Sequence, residues 1–140
     1  MKTIEETVSL KQLPSFCKEI VPLIKENKKI LFYGEMGSGK TTMIKELVKL
    51  LGSRNEVSSP TFALINLYEL NTDEDIVHFD LYRLKDEQEL FSIGAIDYIE
   101  SNNICLIEWP QLVEPFIEAG LKIEIEKLNK NERKICIFNF

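Results

Sequence analysis

Residues 29–42 constrain the fold of this chain more than any other stretch. A short apolar run at residues 30–33 is followed by two glycines, a lysine and a threonine: Gly34, Gly39, Lys40 and Thr41. These four residues occupy the fixed positions of the phosphate-binding motif G-x-x-x-x-G-K-[ST], and the apolar run supplies the buried strand that must precede it. The stretch therefore predicts a strand, a phosphate-binding loop and the first turn of a helix.

The residue types in this loop each suit a polyphosphate. Glycine permits positive φ and close approach of the backbone, so that successive N–H groups can face an anion. The following helix adds unpaired N–H groups and the positive end of its dipole, while Lys40 can reach the β- and γ-phosphates. The hydroxyl of Thr41 is the expected Mg²⁺ ligand. We expect phosphate contacts from six consecutive residues, Gly37, Ser38, Gly39, Lys40, Thr41 and Thr42.

Two further strands are predicted to end on a carboxylate. Residues 76–80 end at Asp80, and residues 104–108 end at Glu108. Ligands of open α/β sheets bind at the carboxyl ends of the strands, so both acids are candidate catalytic residues and Glu108 is a candidate Mg²⁺ ligand. His78 lies within the first of these strands. A lone histidine in a strand is more often packed than catalytic, so no role is assigned to it.

Residues 57–62 form a hydroxyl-rich segment that contains a proline. Such a segment can be a plain turn, or it can be a switch that senses the nucleotide. In a switch, Thr61 would reach the metal or the γ-phosphate when a triphosphate is bound and release it after hydrolysis. Thr61 is therefore a candidate nucleotide contact.

The rest of the chain predicts helices on two faces of a mixed sheet. Residues 9–24 follow a helical pattern, which we expect to break or restart at Pro14 and to kink or end near Pro22. Residues 111–119 predict another helix, and residues 121–128 and 134–140 alternate as the two strands of a hairpin. The expected fold is the α/β, three-layer P-loop NTPase fold, with a mixed, mostly parallel sheet and a C-terminal antiparallel hairpin. Residues 1–140 are expected to form a single domain.

Composition limits the classes of function. The 140 residues are 44% hydrophobic, no apolar run reaches the length of a membrane span, and the first six residues include acids where a signal peptide would be apolar. The cytoplasm is therefore the expected location. A net charge of −6 argues against direct binding of a nucleic-acid backbone, so a connection to RNA would run through a partner. Three separated cysteines and one histidine give neither a zinc nor a disulfide pattern.

The phosphate-binding loop identifies a ligand but not a reaction. A GTPase would carry Asn-Lys-x-Asp after a core strand, whereas residues 129–132 read Asn-Lys-Asn-Glu inside the predicted hairpin. A small-molecule kinase needs a lid and several arginines, and this chain has only Arg54, Arg83 and Arg133. A kinase, a nucleotide-gated binding module that does not depend on hydrolysis, and a GTPase stay open as alternatives.

Five segments in order make the chain resemble one family over nearly its whole length. They are residues 34–42 (GEMGSGKTT), 59–62 (SPTF), 78–84 (HFDLYRL), 89–94 (ELFSIG) and 107–110 (IEWP). The chain resembles the bacterial tRNA threonylcarbamoyladenosine biosynthesis ATPases, TsaE, also called YjeE. The resemblance implies an ATPase that acts with a transferase subunit, TsaD, and a scaffold subunit, TsaB. Together they form N6-threonylcarbamoyladenosine at position 37 of tRNAs that read ANN codons.

The resemblance also implies the roles of individual residues. Lys40 would bind phosphate, Thr41 and Glu108 would hold Mg²⁺, and Asp80 would lie at the γ-phosphate and the metal. Thr61 would belong to the switch. ATP and Mg²⁺ are the implied cofactors, tRNA is reached only indirectly, and base contacts are placed near Ser9 or Gln12. No arginine is obviously placed as a finger, so we expect slow turnover alone and activation by the partners.

Overall fold

The computed structural model describes residues 2–53, 64–70 and 72–140, and these residues form one seven-stranded mixed sheet. Its strands, in chain order, are β1 (Lys2–Ser9), β2 (Lys29–Tyr33), β3 (Ile65–Glu69), β4 (Asp75–Asp80), β5 (Ile104–Glu108), β6 (Leu121–Lys127) and β7 (Glu132–Asn139). The spatial order is β1-β7-β6-β2-β5-β4-β3. The four strands β6, β2, β5 and β4 are parallel, whereas β7 is antiparallel to β1 and β6, and β3 to β4. The predicted mixed sheet and C-terminal hairpin are confirmed.

Helices cover both faces of this sheet. They are α1 (Leu13–Asn27), α2 (Lys40–Leu50), α3 (Glu87–Ser92) and α4 (Ala95–Glu100). Two 3-10 turns, at Pro110–Leu112 and Glu114–Phe116, lie between β5 and β6. Because side chains alternate along a strand, Ile30 and Phe32 of β2 pack with α1 and α2, and Leu31 packs with α3 and α4. All five residues of β5 are buried, as expected for a central parallel strand covered on both faces. The predicted three layers are confirmed.

Strand register brings the two predicted carboxylates together. Asp80 at the end of β4 is paired in register with Glu108 at the end of β5, and Glu108 is paired with Phe32 near the end of β2. The loop that follows β2 leads directly into α2. The carboxyl ends of three neighbouring parallel strands therefore meet at the phosphate-binding loop.

The N-terminal region differs from the prediction. The sequence did not predict strand β1. An edge strand needs few apolar side chains, and in β1 the buried Val8 stands among exposed acidic residues, so the strand pattern is weak. A break at Pro14 is wrong, whereas a helix start there agrees with the structure, since Pro14 lies in the first turn of α1, where a backbone N–H has no helical partner to lose. An end at Pro22 is also wrong, because α1 continues to Asn27 with Pro22 inside it. A kink at Pro22 stays a prediction.

The helix expected at residues 111–119 is also wrong. This segment contains the two 3-10 turns, and Pro115 lies at the start of the second turn, where its lack of an N–H is compatible with a new start but not with a continuous α-helix. Gly120 then leads into β6. A Cβ on Gly120 would lie 2.3 Å from the carbonyl oxygen of Lys29, so glycine is required there by close approach of the two strands.

Helix α2 buries one apolar face against the core. Four of its apolar side chains are fully or nearly fully buried: Met43, Ile44, Leu47 and Val48. None of the helices built from the described residues combines the length and the apolar character that crossing a bilayer would demand.

Candidate nucleotide-binding site

The loop between β2 and α2 has a backbone that only glycine adopts readily. Gly37 has φ of 81° and Gly39 has φ of 108°, both in the left-handed region. A Cβ on Gly34 would lie 2.5 Å from Ser38 Oγ and 2.7 Å from the carbonyl oxygen of Ile125 in β6. The first turn of α2 has no side-chain cap, so its N–H groups are available to an anion at the loop.

Lys40 begins α2 and is 5% exposed. Its Nζ donates a hydrogen bond of 2.6 Å to the carbonyl oxygen of Gly34, and it lies 3.5 Å from the ring centroid of Trp109. Burial lowers the pKa of Lys40 from its ordinary value of 10.5, while the nearby carboxylates of Glu108 and Asp80 act in the opposite direction. The ammonium group is thus held where water is scarce and an anionic ligand would be favourable.

Ser38 presents a polar atom that lacks a protein partner. Its Oγ is buried and has no hydrogen-bond partner among the described residues. In the same part of the chain, His78 Nδ1 is the other buried side-chain atom without a partner. The backbone oxygen of Ser38 accepts a 2.8 Å hydrogen bond from Nε of Arg133 in β7. A buried, unpaired hydroxyl in a glycine-rich loop fits a phosphate oxygen, because a buried polar group left without a partner is costly.

Glu108 links the loop to the neighbouring strand. Its Oε1 accepts a 2.8 Å hydrogen bond from Thr41 Oγ1, and its Oε2 lies 2.8 Å from Nε2 of His78. Glu108 and His78 are 3% and 1% exposed. The sequence assigned no role to His78, although its position two residues before Asp80 in the same strand puts the two on one face of the sheet. That spacing was the available signal.

Asp80 lies beside this group and is half-buried. Its Oδ1 accepts a 3.2 Å hydrogen bond from the backbone N–H of Tyr82, and its own N–H donates to the carbonyl oxygen of Leu64. Asp80, Glu108 and Thr41 line the same cavity. The structure therefore brings together the predicted carboxylates and the predicted hydroxyl ligand.

Trp109 forms an aromatic wall with Tyr82 at the edge of the cavity. Their ring centroids are 4.9 Å apart and the ring planes are inclined by 49°. Trp109 is half-buried and has φ of 55° and ψ of 60°, a left-handed conformation that is costly for a bulky residue. The structure thus places this half-buried tryptophan against the ammonium group of Lys40.

These groups open onto a cavity of about 490 Å³, a size typical of small-molecule sites. Its lining includes the phosphate-binding loop from Gly37 to Thr42. It also includes a set of apolar side chains: Val8, Leu10, Leu13, Ile125 and Ile135. Ser9 also lines it, and Gln12 exchanges hydrogen bonds with Ser9 in the turn before α1. A base contact near either residue stays a prediction.

Two predicted or missed residues complete the account of the site. Thr61 and its segment lie outside the described residues, so the switch stays a prediction. Arg133 lines the cavity and contacts the loop from 95 residues away in sequence. The sequence assigned no site role to Arg133, because a contact of that range depends on the pairing of β7.

The donor set fits Mg²⁺ bound together with phosphate. The described residues contain no group of three or more His, Cys, Asp or Glu side chains that could hold a metal. A hydroxyl and two carboxylates beside a phosphate-binding loop are the hard oxygen ligands that Mg²⁺ takes, and Mg²⁺ commonly shares such sites with nucleotide oxygens and water. Thr41 and Glu108 would hold the ion, and Asp80 lines the same cavity beside them.

Comparison with known proteins identifies relatives along most of the chain. The sequence profile of the family "Threonylcarbamoyl adenosine biosynthesis protein TsaE" matches residues 7–135. The chain is 37% identical over 111 residues to the tRNA threonylcarbamoyladenosine biosynthesis protein TsaE of Haemophilus influenzae, which covers 77% of this chain and 70% of the relative. The protein of the same name from Aquifex aeolicus is 37% identical over 125 residues, which cover 86% and 84% of the two chains.

A relative from Bacillus subtilis with that name is 32% identical over 130 residues, covering 92% of this chain and 80% of the relative. Among solved structures, the crystal structure of Bacillus subtilis YdiB superimposes with a TM-score of 0.69 at 24% identity, and the match covers 98% of this chain and 86% of that chain. This likeness supports the P-loop fold alone. The extent of the profile match and the identity to these relatives show that the chain belongs to the TsaE family.

Proposed function

We propose that this chain is a Mg²⁺-dependent ATPase that drives the formation of threonylcarbamoyladenosine in tRNA. The observation that carries the proposal is the hydrogen bond between Thr41 and Glu108 at the mouth of the phosphate-binding loop. It joins a hydroxyl and a strand-end carboxylate in the arrangement that P-loop ATPases use around Mg²⁺. Family membership supplies the connection to tRNA modification. We propose that residues 1–140 act as one ATPase domain.

In this proposal the phosphates lie against Gly37, Ser38, Gly39, Lys40, Thr41 and Thr42. Lys40 supplies a positive charge, and the unpaired hydroxyl of Ser38 supplies a donor. Thr41 and Glu108 hold Mg²⁺, which would neutralise charge on the β- and γ-phosphates when bound. The apolar side chains of the cavity lining would receive the adenine base. Thr61 would contact the γ-phosphate from its segment.

Hydrolysis would depend on positioning and on charge stabilisation. Asp80 and Glu108 present carboxylate oxygens that can orient a water molecule toward the γ-phosphate, and the buried Lys40 stabilises charge that moves to the leaving oxygen. Arg133 is committed elsewhere, since its Nε and Nη1 donate to backbone oxygens of the loop and the hairpin turn. We therefore propose slow turnover by the chain alone.

We propose that partner subunits, a threonylcarbamoyl transferase (TsaD) and its scaffold (TsaB), accelerate this turnover. With a net charge of −6, the chain would meet tRNA through those partners rather than directly. tRNA is modified in the bacterial cytoplasm, so we place the activity there.

The test is ATP turnover by the purified chain, with and without the two partners. We expect turnover to rise at least tenfold in the assembly, and Lys40→Ala to abolish it with the partners present. Equal turnover with and without partners would contradict activation.

The same preparation distinguishes the ATPase from a small-molecule kinase and from a nucleotide-gated binding module. Turnover that appears only when a phosphate acceptor is added, with a phosphorylated product, would identify a kinase instead. If Glu108→Ala or Asp80→Ala left tRNA modification by the assembly intact, ATP would act as a gating ligand and hydrolysis would not be needed.

A further inference from the structure

A continuous line of hydrogen bonds runs from the phosphate-binding loop into the core of the sheet. Thr41 Oγ1 donates to one oxygen of Glu108, and the other oxygen lies 2.8 Å from Nε2 of His78. We propose that His78 is a positioning residue that fixes the carboxylate of Glu108 in the orientation needed by Thr41 and Mg²⁺. This inference rests on the function proposed above.

The proton on the imidazole can be assigned from its surroundings. A carboxylate can only accept, so Nε2 of His78 must carry the hydrogen that points at Glu108. Nδ1 is buried and has no partner among the described residues. The opposite tautomer would place two acceptors 2.8 Å apart and would bury an unpaired N–H group. His78 is therefore held as a donor toward Glu108.

The register of the sheet explains why this histidine can reach the carboxylate. His78 is paired with Leu106, two residues before Glu108 on the adjacent parallel strand. Residues two apart in a strand share a face, so His78 and Glu108 lie diagonally on the face that α2 covers. Packing of β4 and β5 therefore fixes the imidazole before any ligand arrives.

The carboxylate of Glu108 benefits from a second hydrogen bond that restricts its orientation. Glutamate has one more rotatable bond than the aspartate that commonly ends this strand in P-loop proteins, and each free bond spreads the carboxylate over more orientations. The two hydrogen bonds occupy one oxygen each. Thr41 and Glu108 would then be oriented to hold Mg²⁺, with His78 as the outer partner that fixes the carboxylate.

The test uses two variants at position 78. His78→Gln keeps an N–H donor near the position of Nε2, and His78→Leu removes the donor while keeping an apolar side chain of moderate size. ADP binding is measured by calorimetry without metal and across a Mg²⁺ titration. We expect His78→Leu to raise the half-saturating Mg²⁺ concentration about tenfold, the lower end of the effect usual for such partners, with metal-free ADP affinity unchanged. His78→Gln should stay within about twofold of the wild type.

The outcomes that overturn the proposal are distinct. An unchanged Mg²⁺ dependence in His78→Leu would show that His78 does not position Glu108. Loss of metal-free ADP affinity and of melting temperature in both variants together would show that His78 only fills the core. Lys40→Ala is included as a separate control: if it bound ADP like the wild type, the nucleotide site itself would be wrong, independently of His78.

Discussion

At the scale of single residues, Gly34 and Arg133 tie the phosphate-binding loop to the C-terminal hairpin. Gly34 lies so close to β6 that an added Cβ would stand 2.7 Å from the backbone oxygen of Ile125. Arg133 contacts the loop at Ser38 and the hairpin turn at Asn129. The motif in the sequence predicts glycine at position 34 for backbone freedom. The structure adds a steric reason that no local pattern contains.

Gly34→Ala should therefore affect both stability and the site. The new methyl group must displace either β6 or the loop, and we expect a loss of about 1–3 kcal/mol in the free energy of unfolding. We also expect weaker ADP binding, measured by calorimetry beside urea unfolding. The matched control is Gly120→Ala, whose Cβ would meet the oxygen of Lys29 away from the cavity lining. It should lower stability but not ADP affinity, and wild-type ADP binding by Gly34→Ala would contradict the steric argument.

Cys17 provides a prediction about pH. Burial, with a smaller contribution from Glu46, raises the pKa of the Cys17 thiol from 9.0 to about 12. An unfolded cysteine loses its proton near pH 9, whereas the native thiol keeps it, so the native state binds more protons between these values and stability falls as pH rises through them. Urea unfolding at several pH values should show this decline, with a shallower slope in Cys17→Ala. Fast alkylation of native Cys17 at pH 8 would contradict its burial.

At the scale of elements, α1 shows what proline does and does not predict. Both prolines were expected to interrupt the helix, but Pro14 occupies the first turn and Pro22 is tolerated inside. Tertiary packing outweighs the local cost, because Phe16, Cys17, Ile20 and Ile24 are all buried against the sheet and α2. In residues 111–119 only Val113 and Ile117 are buried, and Pro115 divides the segment into short turns.

The two prolines of α1 form a matched pair for measurement. Pro22 is exposed, so Pro22→Ala restores a helical N–H without losing packing, and we expect the free energy of unfolding to rise by about 1–3 kcal/mol. Pro14→Ala should be neutral or slightly destabilising, because its position lacks a helical partner and the unfolded chain becomes more flexible. Urea unfolding of both variants decides this. Destabilisation by Pro22→Ala would mean that the proline stabilises α1 through a constraint that helix geometry does not reveal.

At the scale of the whole molecule, features formed by one stretch of sequence were predictable, whereas features that combine distant strands were not. The strand, loop and helix around Lys40 follow from one stretch of sequence, and so do the strand ends at Asp80 and Glu108. The cavity depends on strand order, which places β7 between β1 and β6. Its apolar wall therefore combines Val8 and Leu13 with Ile135, residues that no periodicity relates.

The net charge gives a prediction for the isolated chain. With 17 basic and 23 acidic residues, it should not bind tRNA measurably at 20 μM protein and near-physiological salt, because counterion release requires clustered positive charge. Fluorescence anisotropy of labelled tRNA is the measurement, with the assembled partners as the positive control. Micromolar binding that weakens steeply with salt would reveal a basic surface and would contradict the indirect route to RNA.

The pairing of β1 with β7 also has a consequence for folding of the chain during translation. Ser9 is paired with Glu132, so β1 cannot form its ladder until the residues up to Glu132 have been synthesised. Contacts between such distant residues form late and slowly. The part of the cavity wall that contains Val8 is therefore incomplete in a growing chain until β7 has been made and has paired with β1.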